Sequence, residues 1–257
     1  NMAVIFYLSG SGNSLYAARQ LAEKLEDCRL ETIGSYLRKP YDVKDEVVGV
    51  VSPVYCFALP PMMAQFLEKL KAKPNYCFGV VTMGGNQGRA LKQMNDVLAT
   101  KKITLNYAQT VLMPDNFFGI PQEKRVEQLK AAEPVIAKIA EEVAEAKADV
   151  ASVKEAMLWK LFGTSASWWY LKNRLKFEEM TVDATKCISC GICAEVCQME
   201  NITIVDGKPT FGNNCASCLG CFHWCPESAI SAGKLTLDNN KRYVNPNINL
   251  QMMKGEE

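Results

Sequence analysis

Histidine is nearly absent from this sequence, and so are long apolar runs. His223 is the single histidine among 257 residues, so a Ser-His-Asp triad or a site built mainly from imidazoles has no support. No apolar run reaches 18 residues, and a membrane-spanning helix is therefore not expected. The net charge is only +1, which gives no reason to expect nucleic acid as a partner.

The first residues have no basic segment followed by an apolar stretch, so a secretory leader is not expected. Asn1 before Met2 is set aside as a foreign leading residue, and the apolar run from Ala3 to Leu8 reads as a short strand. We therefore expect a cytoplasmic location, where thiols stay reduced.

Cysteine, by contrast, is abundant. Eleven cysteines are present, and eight of them lie between residues 187 and 225. They form two copies of the spacing C-x2-C-x2-C-x3-C, and the second copy begins 28 positions after the first. The first copy is Cys187, Cys190, Cys193 and Cys197, and the second is Cys215, Cys218, Cys221 and Cys225.

This spacing is typical of proteins that hold two [4Fe-4S] clusters. Three thiolates at two-residue gaps wrap one cluster, and the fourth cysteine of each copy ligates the other cluster. The prediction is therefore a first cluster on Cys187, Cys190, Cys193 and Cys225. The second cluster is then held by Cys215, Cys218, Cys221 and Cys197.

Zinc sites and disulfides are the alternatives. Zinc ligands usually come as two separated C-x2-C pairs, and disulfides are disfavoured in a reducing compartment. Pro226 follows the second copy as the bacterial spacing expects, whereas Gln198 follows the first. We expect a local backbone difference at Gln198 but no lost cluster.

The segments beside the cysteines repeat as well. Asn201 to Val205 and Ser228 to Ala232 read as short strands, and Asp206 to Pro209 reads as a turn. Residues 178–236 resemble a bacterial two-cluster ferredoxin along their whole length, which implies a small α+β ferredoxin-like domain.

The first 149 residues alternate between apolar runs and helical patterns. The runs are 3–8, 46–52, 76–83 and 103–113, and the helical patterns are 14–26, 61–71, 87–98 and 122–147. Such alternation predicts an α/β fold with a parallel sheet covered by helices on both faces. Ligands then lie at the carboxyl ends of the strands.

The loop after the first run consists of Ser9, Gly10, Ser11, Gly12, Asn13 and Ser14. Backbone amides and hydroxyls at a helix start suit a phosphate group. The loop has no lysine, which disfavours an ATP-binding loop, and Leu15 breaks the dinucleotide fingerprint. A loop for a monophosphate remains, and the alternative is a capping turn without a ligand.

Two later loops fall at the same sheet edge. The first runs from Pro53 to Pro60 and offers aromatic rings, and the second runs from Thr82 to Asn86 and offers glycine backbone. All three loops resemble those of flavodoxins, which implies a doubly wound five-stranded parallel sheet that binds FMN. The resemblance places the ring against Pro53, Val54, Tyr55, Phe57, Thr82, Gly84, Gly85 and Asn86.

The full chain resembles the fused flavodoxin–ferredoxin proteins of anaerobic prokaryotes. The expected parts are an FMN domain at 2–149, a join at 150–177, the cluster domain at 178–236 and a tail at 237–257. Cys28, Cys56 and Cys77 are interpreted as small buried hydrophobes; the alternative for Cys56 is a role beside the flavin. His223 is expected to lie against a cluster.

The join is basic and aromatic. Residues 151–176 carry a net charge of +4 and three tryptophans, whereas residues 177–234 carry a net charge of −4. We favour a helical bridge whose charges complement the acidic cluster domain. A membrane-surface helix is the alternative.

Two functions fit these features. The first is an electron-transfer protein that joins FMN and two [4Fe-4S] clusters and serves a redox partner such as a ferredoxin, a reductase or an oxidase. The second is a flavin-dependent reductase of a small organic or tetrapyrrole-like substrate, with Tyr55 or Asp115 as proton donor. No NAD(P) fingerprint is visible, and a homodimer is compatible with the sequence.

Overall fold

A five-stranded parallel sheet organises the first part of the chain in this computed structural model. The structure describes residues 2–117, 119–154, 179–233 and 242–255. The sheet strands are β1 (Ala3–Tyr7), β2 (Cys28–Thr32), β4 (Val47–Pro53), β6 (Tyr76–Met83) and β7 (Tyr107–Leu112). Their order across the sheet is β2-β1-β4-β6-β7, and β3 (Asp42–Val43) and β5 (Lys71–Ala72) form a separate parallel pair. This is the flavodoxin-like doubly wound arrangement that the sequence predicts.

Helices cover both faces of this sheet. They are α1 (Asn13–Ala22), α2 (Ile33–Arg38), α3 (Pro61–Lys69), α4 (Ala90–Thr100) and α5 (Gln122–Ala144). One face buries side chains of α2, α3 and α4, and the other buries side chains of α1 and α5. The central strands are buried on both sides because each face of the sheet has its own layer of apolar contacts.

The strand order reverses at β1, and this reversal positions the site. The chain leaves β1 toward β2 on one side and later returns to β4 on the other. In open α/β sheets the crevice for a ligand opens at the carboxyl ends of the strands on either side of such a reversal. The loops at 9–14, 53–60 and 82–86 all lie at this edge.

Several element boundaries differ from the prediction. Strand β2 and helix α2 are additional, because Cys28–Thr32 is a half-buried edge strand without a continuous apolar run. Helix α1 ends at Ala22 instead of Glu26, since the chain turns there and Asp27 adopts a positive φ of 48°. Strand β7 begins at Tyr107, and the preceding Ile103 and Leu105 are buried from a loop.

The cysteine-rich region forms a small α+β unit. Strand β8 (Met180–Val182) pairs antiparallel with β11 (Ile230–Ala232), and β9 (Ile202–Val205) pairs with β10 (Lys208–Phe211). Short helices α6 (Ile192–Glu195) and α7 (Gly220–His223) follow the first cysteines of each motif. Helix α8 (Leu250–Lys254) closes the described chain.

The backbone repeats with the sequence. Positive φ values occur at Ser189 and Ser217, at Gly191 and Leu219, and at Glu200 and Ser228, and each pair is 28 residues apart. The two motifs therefore share these left-handed positions, and neither Gln198 nor Pro226 is one of them. The expected backbone difference at Gln198 stays a prediction.

The predicted join falls mostly outside the described residues. Residues 155–178 are not described, so the bridge and the membrane-surface interpretations both stay predictions. Residues 151–153 form a 3-10 turn, and Val153 packs against the core on one face of the sheet. Within the described chain no helix is both long enough and apolar enough to cross a membrane.

Candidate cofactor sites

The Ser9–Ser14 loop has the backbone of an anion-binding nest. Gly12 has a φ of 95° and directly precedes helix α1, and this change of handedness turns successive N–H groups to one side. Ser9, Ser11 and Ser14 are each only 2% exposed. Among the described residues no acceptor meets the backbone N–H groups of residues 11–14. Buried donors of this kind fit a phosphate group.

The side chains of this loop connect it to neighbouring strands. Ser14 Oγ and Thr82 Oγ1 are 2.9 Å apart, which ties the loop to the end of β6. Ser9 Oγ accepts a hydrogen bond from the Leu15 N–H, and Asn116 Nδ2 donates to Ser11 Oγ at 3.0 Å. The contact from Asn116 was not predicted, because 105 residues separate the two positions.

The Pro53–Pro60 loop is held in an unusual turn. Tyr55 and Ala58 exchange two backbone hydrogen bonds, while Cys56 and Phe57 between them have positive φ values of 50° and 62°. Non-glycine residues seldom adopt this conformation, and such strain is found preferentially at functional sites. The Arg89 N–H donates to the Phe57 carbonyl and fixes the turn to the next loop.

The Thr82–Asn86 loop lies beside this turn. The Val54 N–H donates to the Thr82 carbonyl at 2.9 Å, so the two predicted ring loops are adjacent. The Asp115 carboxylate packs against Gly84 and accepts a hydrogen bond from the Phe117 N–H. Gly85 faces open space. The structure therefore brings all three predicted loops to one edge of the sheet.

Three cysteines outside the motifs are protonated thiols at neutral pH. Burial raises the pKa of Cys28 and of Cys56 to about 11 and that of Cys77 to about 12. Cys77 is fully buried, as predicted, whereas Cys28 and Cys56 are half-buried. Since the thiolate is the reactive form, the structure gives Cys56 no activated thiol.

Four cysteines from both motifs line one cavity in the cluster region. They are Cys187, Cys190, Cys193 and Cys225, the set predicted for the first cluster. Apolar side chains such as Val182, Ile204 and Ile230 form much of the remaining wall. Four thiols around an apolar cavity fit a cubane cluster, whose irons each take one thiolate.

The other four cysteines also lie near one another. Burial is the main cause that raises the pKa of Cys218 to about 12, and the neighbouring Cys215 and Cys197 raise it further. Burial likewise raises the pKa of Cys221 well above its usual value. Smaller contributions that raise this pKa come from Cys218, Cys215, Cys197 and Cys193. Cys197 from the first motif is thus an electrostatic neighbour of the second motif.

Backbone amides already point at several of these sulfurs. The N–H groups of Asn201 and Ala229 lie 3.3 Å from the Sγ atoms of Cys197 and Cys225, and Ser217 N–H is equally close to Cys215 Sγ. Such bonds stabilise thiolate ligands and tune cluster potentials. Among the described residues no group of three or more His, Cys, Asp or Glu side chains surrounds a single-ion site.

The second motif packs directly onto the Ser9–Ser14 loop. The Cys218 carbonyl lies against Gly10, so closely that a β-carbon on Gly10 would overlap it. Trp224 Nε1 donates to the Gly10 carbonyl at 3.0 Å. Tyr55 hydroxyl is buried and has no partner in the described chain, and its pKa is raised by burial and then by Cys218 and Cys215.

The chain after residue 241 closes over the same loop. Tyr243 Oη and Asn245 Nδ2 both donate to Asn13 Oδ1, at 2.8 Å and 3.0 Å. The Asn245 N–H donates to the Ser11 carbonyl, and Asn245 and Ile248 pack over Gly12. Sequence analysis did not predict this position of the tail, since its polar residues form no recognisable motif.

His223 supports this polar network as a neutral side chain. Burial lowers its pKa to about 3, and the nearby Arg242 charge lowers it further. Its Nδ1 accepts a hydrogen bond from the Tyr243 N–H at 3.2 Å, so the proton is assigned to Nε2. His223 therefore links helix α7 to residues 242–245.

The chain matches one family of known proteins and is similar to several solved structures. Residues 180–203 match the 4Fe-4S binding domain family. Among solved structures, the chain is similar to a Fusobacterium nucleatum flavodoxin bound to flavin mononucleotide, with 12% identity, 56% of this chain and 97% of that chain covered, and a TM-score of 0.39. It is similar to a WrbA-like flavodoxin of Agrobacterium tumefaciens at 16% identity, covering 56% and 98%, with a TM-score of 0.36.

A larger protein is also among the similar structures. Rubredoxin oxygen:oxidoreductase of Desulfovibrio gigas is 21% identical, with 56% of this chain covered and a TM-score of 0.35, and the match spans only 37% of that chain's length. No curated protein matches the sequence. The chain thus joins a flavodoxin-like parallel α/β fold to a small ferredoxin-like region that contains a 4Fe-4S binding domain.

Proposed function

We propose that this chain transfers electrons between FMN, held at the edge formed by residues 9–14, 53–57 and 82–86, and two [4Fe-4S] clusters. When bound, FMN exchanges electrons singly or in pairs and each cluster exchanges one. The chain would thereby link a one-electron partner such as a ferredoxin to another acceptor. Its own residues bind, orient and shield these groups.

The contact between Gly10 and Cys218 is the observation that carries this proposal. A cluster ligand touches the predicted phosphate loop through main-chain atoms, and Trp224 adds a hydrogen bond to the same glycine. Electron transfer slows steeply as the distance between redox groups grows. Direct packing of the second motif on the flavin loop is therefore what an internal relay requires.

The cysteine environments support the crossed ligand sets. Cys225 shares a cavity with Cys187, Cys190 and Cys193, and Cys197 neighbours Cys218 and Cys221. We assign the first set to an outer cluster and the second to an inner cluster beside the flavin loop. This assignment follows the rule that the fourth cysteine of each motif crosses over.

The cysteines proposed for the outer cluster include one that is exposed to solvent. Cys190 is exposed, and Ile188 in the same loop is 60% exposed. Of the inner cysteines, Cys221 is buried and Cys218 is half-buried. We therefore propose that a redox partner exchanges electrons at the outer cluster and that the inner cluster connects it to the flavin.

Anaerobic analysis of the reconstituted chain tests the proposal. We expect about eight irons and one FMN per chain, as two cubanes and one flavin site require. Reduced ferredoxin mixed with the chain should then bleach the flavin, and a chain that lacks the outer cluster should bleach more slowly. A chain with two zinc ions and no bound FMN would contradict the proposal.

One observation favours a second candidate, a flavin-dependent reductase of a small organic or tetrapyrrole-like substrate. Asp115 places a carboxylate against Gly84 in the predicted ring loop, where a proton donor would be needed. Under this candidate, Asp115→Asn abolishes turnover of a substrate but leaves flavin reduction by the clusters intact. Equal rates for both proteins would remove this candidate.

A further inference from the structure

Gln198 occupies a position where its repeat partner is proline. Gln198 follows Cys197, and Pro226 follows Cys225 at the same place in the second motif. Pro226 lines the cavity of the outer cluster. Because the backbone conformation repeats between the motifs, Gln198 holds the corresponding place beside the inner cluster.

The Gln198 side chain reaches the flavin domain. Its Oε1 accepts a hydrogen bond from the Ser9 N–H at 3.0 Å, and the residue is only 7% exposed. Proline has no side-chain acceptor, so it would leave the buried Ser9 N–H without this partner. Glutamine in place of proline therefore allows a hydrogen bond with Ser9 that Pro226 could not make from the corresponding position.

Helix α2 contacts the main chain of Gln198. Arg38 Nη1 donates to the Gln198 carbonyl at 3.1 Å, and Arg38 also pairs with Glu200 at 2.7 Å. The Gln198 carbonyl packs so tightly on Gly34 that a β-carbon there would overlap it. Helix α2 thus holds the main chain of Gln198 while Ser9 holds its side chain.

One polar atom of this side chain remains unused. Gln198 Nε2 is buried and has no hydrogen-bond partner among the described residues. Buried amide donors are nearly always paired in native proteins. The unpaired N–H groups point to an acceptor that a bound cofactor supplies.

We propose that Gln198 is a positioning residue that couples the inner cluster to the flavin loop, with Oε1 holding Ser9 and Nε2 donating to an anionic acceptor. That acceptor is a sulfur of the inner cluster or an oxygen of the FMN phosphate group. The inference rests on the proposed function. It assigns to Gln198 a role in that site which neither the motif spacing nor the loop resemblance gives it.

Two variants separate the two ends of the amide. Gln198→Glu keeps the size and the acceptor for Ser9 but replaces the donor with a carboxylate, and Gln198→Met keeps the size and removes both. Gln65→Met, on an exposed position of helix α3, is the matched control. All four proteins are compared as full chains loaded with clusters, with iron content as the check on assembly.

The measurements are the FMN dissociation constant, from flavin fluorescence, and the midpoint potential of each cluster, from EPR-monitored titration. We expect Gln198→Met to weaken FMN binding about tenfold, as the loss of a buried hydrogen bond implies, or to shift the inner cluster's potential alone. Gln198→Glu should have the larger effect, since it places a negative charge beside an anionic acceptor.

Each result has a defined meaning. In Gln198→Glu, which keeps the acceptor for Ser9, a change in FMN affinity alone identifies the phosphate as the acceptor of Nε2. A change in the inner cluster's potential alone identifies a cluster sulfur. If both variants match the wild type in affinity and in both potentials, the inference is wrong. If Gln198→Met loses iron, the FMN affinity and the cluster potentials of the near-isosteric Gln198→Glu decide whether the inference holds. Failure of the wild-type chain to bind FMN or clusters would instead contradict the proposed function.

Discussion

The carbonyl oxygen of Cys218 rests on the α-carbon of Gly10, with no room for a side chain between them. This single contact joins a residue of the second cysteine motif to the loop that opens helix α1. It lies between two chain segments more than 200 residues apart, and the Trp224 hydrogen bond to Gly10 reinforces it.

Replacing Gly10 with alanine should separate these two segments. The new β-carbon overlaps a backbone atom, which cannot rotate away, and overpacking of this kind typically costs about 1–3 kcal/mol. We expect slower flavin reduction by the clusters in Gly10→Ala, measured by anaerobic stopped-flow absorbance. FMN and iron contents serve as the control. An unchanged rate at normal cofactor content would show that this contact does not set the electron-transfer distance.

The crossed ligand sets predict which cluster each fourth cysteine supports. In a Cys187→Ala background only the inner cluster should remain intact. Adding Cys225→Ala should then remove no further EPR signal, because Cys225 belongs to the cluster already lost. Adding Cys197→Ala should remove the remaining signal. The opposite pattern would mean that each motif holds its own cluster.

Asn245 should slow the release of FMN. Its side chain donates to Asn13 and accepts from the Asn247 N–H, and it is fully buried. Asn245→Ala breaks both bonds and leaves buried groups unpaired, a loss of about 1–3 kcal/mol. We expect faster FMN dissociation and a lower melting temperature. Asn247→Ala is the control, because Asn247 bonds to Asn245 through its backbone N–H and its side chain is exposed. Equal effects of the two variants would refute a specific role for Asn245.

Ser14→Ala tests the connection between the phosphate loop and strand β6. The variant removes the hydroxyl pair with Thr82, which holds two predicted FMN loops together. We expect FMN affinity to fall about tenfold, the change that about 1.4 kcal/mol produces. Ser35→Ala on helix α2 should leave the affinity unchanged. Equal affinity for Ser14→Ala and the wild type would contradict a role of this hydroxyl in the site.

The predictable parts of the fold are those with strong local signals. Strand β6 has the predicted bounds, Tyr76 to Met83, because it is almost wholly buried and reads as one apolar run. Strand β2 has no such signal, since Cys28–Thr32 lies at the sheet edge and is half exposed. Its strand conformation comes from pairing with β1. The local sequence of Cys28–Thr32 does not indicate this pairing.

The same contrast applies to the site. Cysteine spacing and the Ser/Gly loop could be recognised because their residues are close in sequence. The contacts of Gln198 with Ser9 and of Asn245 with Asn13 join positions 189 and 232 residues apart. Nothing in either local sequence indicates its partner, so only the folded chain reveals how the two modules meet.

Residues 242–254 also have a consequence for the order of assembly. They contact Ser11 and Asn13 at one end, and Lys254 pairs with Glu195 beside the first motif at 2.8 Å. The ribosome makes this segment after both the loop and all eight clustered cysteines. Flavin and iron–sulfur insertion can therefore precede its closure, and this later-made segment would then cover cofactors already in place.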